Sequence, residues 1–207
     1  MSDRDRPTPY PWPDLLRQWS TLWLAPDAHE AEPRFPAAAH ASGWLGTAGA
    51  SEADIAAAER RLGVRLPPSY RQFLAASDGW SHVDDTEGPL LTAGRIGWLR
   101  DLEPDLVEIW SRGDDRSTVP DEEYFRYGED QDCVLVRCEH FSTALLISDW
   151  GDSSLLMLNP AVVNGDGEWE AWSYASWYPG VYRYPGFWEL MAERIASDYP
   201  DAEIVRR

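Results

Sequence analysis

The helix-start and helix-end signals that begin at Ser51 constrain the fold more than any other feature of the chain. Ser51 is a typical N-cap, and Asp54 three residues later completes a short version of the capping box. Gly63 supplies the left-handed residue that commonly ends a helix. Pro67 and Pro68 then favour an extended turn followed by a second helix. The sequence therefore predicts two short helices that pack as a hairpin.

Apolar residues at helical spacing predict the buried faces of this hairpin and of three further helices. The second hairpin helix should stop at Asp78-Gly79, and the others should run from about Pro13 to Leu24, over residues 104–111 and along the C-terminal segment. The residues 25–49, rich in Pro, Ala and Gly, predict a long connection. The apolar positions, helix by helix, are Leu15, Trp19, Leu22 and Trp23; Ile55, Ala58 and Leu62; Tyr70, Phe73 and Leu74; Leu106, Ile109 and Trp110; Phe187, Leu190, Met191 and Ile195.

Short apolar runs after residue 80 predict β-strands at 133–136, 144–148 and 155–158. These runs are continuous rather than alternating, which favours strands covered on both faces. An Asn-Gly-Asp-Gly turn at 164–167 precedes an aromatic-rich strand region at 169–184. Helices, then a sheet, then a helix predict an α+β fold.

The charge of the chain excludes two classes of partner. Its 207 residues include 18 Arg, no Lys and 36 Asp and Glu, which gives a formal net charge of −18. So acidic a surface repels nucleic acid and anionic membranes, and we expect neither as a partner. The chain has no apolar run long enough to span a membrane and no leader-like start, so we expect a cytoplasmic protein.

The sequence offers little support for catalysis. Gly151 to Ser154 superficially resemble the nucleophile turn of a GDS-type esterase, but no His follows Ser153 to act as its base. The residues therefore favour a simple turn. We expect no catalytic residue, and a hydrolase built on Ser153 is the weakest of the functional hypotheses.

Metal binding is equally weakly indicated. Asn164, Asp166 and Glu168 alternate like the start of a calcium loop, but the twelfth position of such a loop would be Ala175 rather than Glu. The four His have no metal-binding spacing, and Cys133 and Cys138 match no zinc or redox motif. We expect no metal and no cofactor.

Two residue classes remain open to more than one interpretation. The clustered carboxylates form either a solvated surface or a docking surface for a basic partner. The aromatic residues, which include 12 Trp, belong either to the core or to an interface, and we expect about a third of them to be partly exposed at a binding surface.

The chain resembles the SUKH superfamily, the Smi/Knr-like domains, over about thirty residues. The positions that carry the resemblance are Ile55, Glu59, Leu62, Gly63, Leu66, Pro67, Tyr70, Phe73, Leu74 and Gly79, with Asp78 where Asn is common. The strand pair around Ser148-Asp149, Gly151-Asp152 and 155–158 and the closing helix at 187–195 are similar to later parts of the family pattern.

This resemblance implies a single α+β domain over residues 1–207, with a mixed, mostly antiparallel sheet flanked by helices. Residues 50–198 would form the family core, and residues 1–49 an N-terminal extension of helix and loop. In bacteria such domains resemble immunity proteins that neutralise a cognate toxin, and in fungi they are interaction modules. Neither role is enzymatic.

The leading hypothesis is an immunity protein that blocks a basic toxin, with nucleases as one toxin class that fits. The alternative is a regulatory or scaffold domain without a toxin partner. The oligomeric state is not predicted. The residues expected to bind the partner follow the second hairpin helix or the central strand. They are Trp80, Asp84, Asp85, Glu87, Trp150 and Asp152.

Overall fold

The computed structural model describes residues 10–25, 35–112 and 119–207. The helices of these residues are α1 (Trp12–Trp23), α2 (Ala37–Ser42), α3 (Glu52–Leu62), α4 (Pro68–Ala76), α5 (Leu99–Leu102), α6 (Pro104–Ser111), α7 (Asp121–Tyr124) and α8 (Phe187–Asp198). The strands are β1 (Gly97–Trp98), β2 (Leu145–Leu146), β3 (Ser154–Val163), β4 (Trp169–Ala175) and β5 (Val181–Tyr184). Short 3-10 helices lie at Gly128–Asp130 and Cys138–Thr143.

The strands form one antiparallel sheet in the order β1-β2-β3-β4-β5. Met157 of β3 pairs with Trp172 of β4, which in turn pairs with Arg183 of β5. No parallel pair occurs among the described strands, so the sheet is antiparallel rather than mixed. Beyond β2 the sheet continues as single bridges, which join Leu90 to Ser148 and Trp80 to Leu90.

Both faces of the sheet are buried, as the continuous apolar runs predict. Leu156 and Leu158 belong to the larger core, which also contains the buried faces of α1, α3, α4 and α8. Leu155 and Met157 alternate with them and belong to a smaller core with Leu99, Leu106 and Phe141. Successive side chains of a strand point to opposite faces, which explains this division.

The helix hairpin has the predicted signals. The Ser51 hydroxyl accepts a hydrogen bond from the Asp54 amide at 3.2 Å, while the Asp54 carboxylate accepts one from the Ser51 amide at 3.2 Å. Gly63 ends α3 with φ +73°, where a residue with a Cβ would be strained. Tyr70, Phe73 and Leu74 of α4 are fully buried, as expected.

The N-terminal helix is part of the main core. Trp12 and Trp19 are at most 1% exposed, and the Trp12 ring packs edge-on against Trp188 with centroids 4.8 Å apart. The C-terminal tail lies along the same helix, because Gln18 donates a hydrogen bond to the Glu203 carbonyl and accepts one from the Val205 amide. Both ends of the described chain thus pack against the same layer of helices.

Three local predictions were wrong. Residues 133–136 form a turn and an irregular segment rather than a strand, although the Cys133 carbonyl accepts a hydrogen bond from the Val181 amide of β5. The strand expected at 144–148 is reduced to β2. Ile109 is 62% exposed on α6, because only one side of that helix faces the smaller core. Residues 26–34 of the predicted connection lie outside the described residues, and part of the remainder forms α2.

The longest helices among the described residues have 12 residues each. None of them is both long enough and apolar enough to cross a bilayer.

Candidate functional site

Trp80 lies in the core instead of on a binding surface. It is 1% exposed, and its ring lies between Trp19, at a centroid distance of 6.2 Å, and Trp44, at 5.2 Å. Its backbone pairs with Gly46 and Leu90, which holds the residue inside the extended sheet. The expectation that Trp80 binds a partner directly is therefore corrected: Trp80 is a core residue whose ring contacts Trp44.

Asp84 organises the loop that follows. One carboxylate oxygen accepts hydrogen bonds from the Thr86 amide at 2.7 Å, the Thr86 hydroxyl at 2.8 Å and the Glu87 amide at 2.7 Å. The residue is 8% exposed, so it is not the solvated surface charge that the sequence suggested. Its physical role is to close the turn, as Asp side chains commonly do by bonding backbone amides further along the chain.

Glu87 is buried against the last helix. One of its oxygens, Oε1, accepts hydrogen bonds from the Ser173 hydroxyl at 2.8 Å and from the Arg194 guanidinium at 2.9 Å. Burial raises the pKa of the Glu87 carboxyl above its ordinary value, and the nearby Arg194 charge only partly opposes this. The other oxygen, Oε2, has no hydrogen-bond partner among the described residues. Like Asp84, Glu87 is not a freely solvated charge.

Arg194 joins these two carboxylates. Besides its contact with Glu87, one guanidinium nitrogen lies 3.7 Å from Asp84 Oδ2 and another bonds the Ser173 hydroxyl. Its side chain is 18% exposed. Sequence analysis missed this residue because it lies 107 positions from Glu87 and only the folding of α8 against the sheet brings them together. No local sequence signal would have identified the pair.

An open cleft of about 720 Å³ lies beside this loop. Its lining includes Asp84, Asp85 and Glu87, and Asp85 is the exposed member of the three. The lining also includes Phe35, residues of α2 and Trp44, which sequence analysis did not assign to a site. We call this feature the acidic cleft. It combines three carboxylates with two aromatic side chains.

Trp150 and Asp152 lie on the other flank of the same loop. The Asp152 amide donates a hydrogen bond to the Thr86 carbonyl at 2.7 Å, and both residues are exposed. A Cβ on Gly88 would collide with the Asp149 carbonyl, so the two loops are in close backbone contact. The folding of the chain therefore brings both loops together, but neither Trp150 nor Asp152 lines the acidic cleft.

Trp150 instead borders a smaller depression of about 250 Å³. This depression includes Leu102 and the ion pair between Arg95 and Asp149, whose closest atoms are 2.8 Å apart. The Trp150 ring lies 6.3 Å from the Tyr174 ring and is 42% exposed. With Trp177, which is 49% exposed, it is one of the two most exposed tryptophans, and most of the others belong to the cores.

The turns at Ser153 and Asn164 lie outside the lining of the acidic cleft. Ser153 sits in a turn with φ +57°, and its backbone amide bonds the Gly151 carbonyl. The Asn164 side-chain oxygen accepts hydrogen bonds from the Asp166 and Glu168 amides, which is a common way for Asn to close a turn. Among the described residues, no group of three or more His, Cys, Asp or Glu is placed to hold a metal ion. What the cleft offers chemically is negative charge beside aromatic rings.

The comparison with protein families agrees with the fold. The sequence model of the SMI1 / KNR4 family (SUKH-1) matches residues 49–193, from just before α3 to within α8. A search of curated proteins finds no match. The family match covers the helix hairpin, the whole sheet and the loop of the acidic cleft, which is well over half of the chain. The chain therefore belongs to the SMI1 / KNR4 family (SUKH-1).

Proposed function

We propose that this protein is a non-enzymatic immunity protein that binds and neutralises a cognate toxin of a bacterial polymorphic or contact-dependent toxin system. The observation that carries the proposal is the acidic cleft, an open feature of about 720 Å³ lined by Asp84, Asp85 and Glu87 on a chain of net charge −18. Family membership supports it, because the family resemblance implies immunity and interaction roles. The proposed site of action is the cytoplasm.

The proposed mechanism is steric occlusion of the toxin by a surface of complementary charge. An acidic surface attracts a basic protein over several ångströms, raises the association rate and disfavours other partners. Toxins that act on nucleic acid present basic substrate clefts, so an acidic protein competes there with the natural substrate. Asp85 on the rim is the carboxylate of the cleft that is best placed for the first encounter, because it is exposed.

The test is co-expression with the toxin domain encoded by the neighbouring gene. Cells that produce the toxin alone should stop growing, and cells that also produce this protein should recover. The purified pair should form a complex whose association rate falls steeply as NaCl rises, because salt screens the attraction. Failure of the folded protein to restore growth and to bind the purified toxin domain would refute the proposal.

A second candidate is a regulatory or scaffold domain without a toxin partner. The observation that favours it is the exposure of Trp150 and Trp177, since exposed aromatic residues are common anchors of protein interfaces. The two candidates differ in genetic context. An immunity gene should adjoin a gene for a large secreted protein with a variable C-terminal toxin domain, and a scaffold gene need not.

A further inference from the structure

His140 lies away from the acidic cleft, beside the buried side chains of Asn159 and Glu170. We infer that His140 is a pH-sensitive latch, which holds residues 119–134 against the sheet when its ring is neutral and releases them when the ring is protonated. Residues 119–134 contain α7 and the 3-10 helix at Gly128–Asp130, and we call them the flap. This device is separate from the proposed binding of a toxin.

The orientation of the Asn159 side chain is fixed by two partners. Its Oδ1 accepts a hydrogen bond from the Ala161 amide at 3.1 Å, and its Nδ2 donates one to Glu170 Oε2 at 3.0 Å. A backbone amide only donates and an ionised carboxylate only accepts, so exchange of the oxygen and nitrogen of Asn159 would break both bonds. Asn159 therefore presents N–H donors to the groups beside Nδ2.

This orientation determines the position of the proton on His140. Asn159 Nδ2 lies 3.1 Å from His140 Nδ1. Because Nδ2 is a donor, Nδ1 is the acceptor, and the proton of the neutral ring is on Nε2. The lone pair on Nδ1 is the only place where this tautomer takes up a second proton. Protonation of His140 thus breaks its hydrogen bond with Asn159.

Glu170 connects this hydrogen bond to the flap. Its Oε2 accepts a hydrogen bond from Asn159 and another from the Tyr124 hydroxyl of α7 at 2.6 Å, and its Oε1 accepts one from the Tyr127 hydroxyl at 3.0 Å. Tyr124 is fully buried, so these bonds hold the inner side of the flap. A movement of Asn159 away from a cationic His140 disturbs the same carboxylate oxygen that holds Tyr124.

Charges of both signs face the His140 ring. Glu139 of the same 3-10 helix and Glu170 of β4 favour its protonation, whereas Arg137 opposes it. Burial opposes protonation more strongly than any of these charges acts, so the pKa of His140 lies below its ordinary value. The β3 residue that contacts the ring is Asn159, which carries no charge.

Tyr124 is the residue of α7 that faces His140, with ring centres 6.4 Å apart. Burial and the Glu170 charge raise the pKa of Tyr124, which keeps its hydroxyl neutral. Two guanidinium groups already lie over this ring, that of Arg137 at 4.3 Å and that of Arg183 at 4.2 Å from its centre. A cationic His140 adds a third positive group beside Tyr124, which further disfavours the closed flap in acid.

The flap covers the outer edge of β5. The Gln131 side chain accepts a hydrogen bond from the Arg183 amide at 2.6 Å and donates one to the Arg183 carbonyl at 2.9 Å. The Val181 amide donates to the Cys133 carbonyl at 3.0 Å. Such backbone groups are otherwise unpaired on an edge strand and are able to pair with another extended segment. Release of the flap therefore exposes the edge of the sheet.

The latch weakens as pH falls. The closed flap disfavours the protonated ring, whereas an open flap returns His140 toward its ordinary pKa of 6.5. The stabilisation from the latch is complete above 6.5 and is lost as pH falls below it through the lowered pKa. The ratio of open to closed flap should rise by up to about tenfold for each pH unit in that interval.

The first measurement is the tautomer of His140 in ¹⁵N-labelled full-length protein. Nitrogen chemical shifts distinguish a protonated Nδ1 from an unprotonated one, and the spectrum of His140→Asn identifies the His140 signals. We expect the ring proton on Nε2 at about pH 7.5. We also expect the second proton to bind only below the ordinary pKa of 6.5.

Hydrogen exchange measures the opening of the flap. Protection factors are compared at about pH 7.5 and about pH 5, because the chemical rate of amide exchange itself depends on pH. The reporters are the amides of Tyr124 and Phe125 in the flap and of Val181 and Arg183 at the covered edge. Their protection should fall about tenfold or more on acidification, while the amides of α4 keep theirs.

Two variants separate the latch from general effects of acid. His140→Asn places an amide oxygen close to the position of Nδ1, so it keeps an acceptor for Asn159 but does not titrate. Its flap should stay protected at both pH values. The matched control is His40→Asn, which removes an exposed histidine of α2 and should open in acid like the wild type.

Three results would each overturn the latch. They are a proton on Nδ1 of the neutral ring, unchanged protection of the flap in acid, and an equal fall of protection in His140→Asn and the wild type. A simultaneous loss of protection in α4 would mean global unfolding and would also contradict a local device. The first two tests use the wild-type protein, so they hold even if His140→Asn does not fold. None of them requires the toxin, so the latch and the proposed function are tested independently.

Discussion

Arg194 contacts three polar side chains that lie far from it in the sequence. It lies on α8, yet it holds Glu87 and Asp84 of the cleft loop and the Ser173 hydroxyl of β4. A similar arrangement occurs on the other face of the sheet, where Glu170 accepts hydrogen bonds from Tyr124 at 2.6 Å and from three further donors. Buried carboxylates on both faces of the sheet thus accept hydrogen bonds from side chains that lie far away in the sequence.

The pH dependence of stability should reveal the burial of Glu87. Its raised pKa means that the folded protein binds the Glu87 proton more tightly than the unfolded chain does. The stability contributed by this group is therefore full below its ordinary pKa of 4.5 and is lost as pH rises through the raised value. We expect the free energy of unfolding of Glu87→Gln, measured in urea, to rise relative to that of the wild type as pH increases from 4 toward 8.

Ionic strength is held constant in these measurements, and NMR spectra verify that Glu87→Gln keeps the native fold. Gln can still accept the hydrogen bonds from Ser173 and Arg194, so the comparison isolates the charge. Parallel pH profiles of wild type and variant would contradict the assignment of a raised pKa to Glu87.

Among the elements, the hairpin of α3 and α4 has well-defined signals at the ends of its first helix. Its first helix begins with a reciprocal capping box at Ser51 and Asp54 and ends at Gly63. These interactions are local, and they satisfy backbone groups that a helix end otherwise leaves unpaired. The family match begins at residue 49, just before this hairpin, and includes all of it.

Removal of the cap should have a measurable cost. Ser51→Ala eliminates the hydroxyl that accepts from the Asp54 amide and should lower the free energy of unfolding by about 1 kcal/mol. Urea denaturation monitored by circular dichroism provides the measurement. Ser176→Ala, at an exposed serine outside the helices, is the matched control and should change the value by less than about 0.5 kcal/mol. A cost no larger than that of the control would disprove the capping role.

At the scale of the whole molecule, the two ends of the described chain meet at α1. The Gln18 side chain bonds the backbone of the tail at Glu203 and Val205, outside the region that the family match covers.

Charge and packing have opposite effects on the stability of the fold. Extensive burial of aromatic residues in two cores favours the compact state. The net charge of −18 opposes it, because the carboxylates repel one another when the chain is compact.

Screening of that repulsion should stabilise the fold. Increasing NaCl from about 20 mM to about 300 mM shortens the screening length severalfold and should raise the free energy of unfolding by an amount on the order of 1 kcal/mol. Urea is the appropriate denaturant, since guanidinium is itself a salt. A decrease of stability with salt would mean that attractive surface ion pairs, such as that of Arg95 with Asp149, outweigh the repulsion.

Features that depend on neighbouring residues were predictable from the amino-acid order. The cap at Ser51, the helix end at Gly63, α6 at its observed bounds and the apolar side of α8 are all indicated by residues that lie a few positions apart. The burial of strands on both faces was also predictable, because an uninterrupted apolar run leaves no side for water.

The acidic cleft was decided only by the tertiary structure. Whether a carboxylate is solvated depends on what packs against it, and the partners of Glu87 are 86 and 107 residues away in the chain. The same reason explains why Trp80 is buried while Trp150 is exposed, although sequence analysis assigned both to the binding surface. Capping and turn hydrogen bonds join residues a few positions apart, whereas the burial of a side chain depends on how the sheet and the helices pack together.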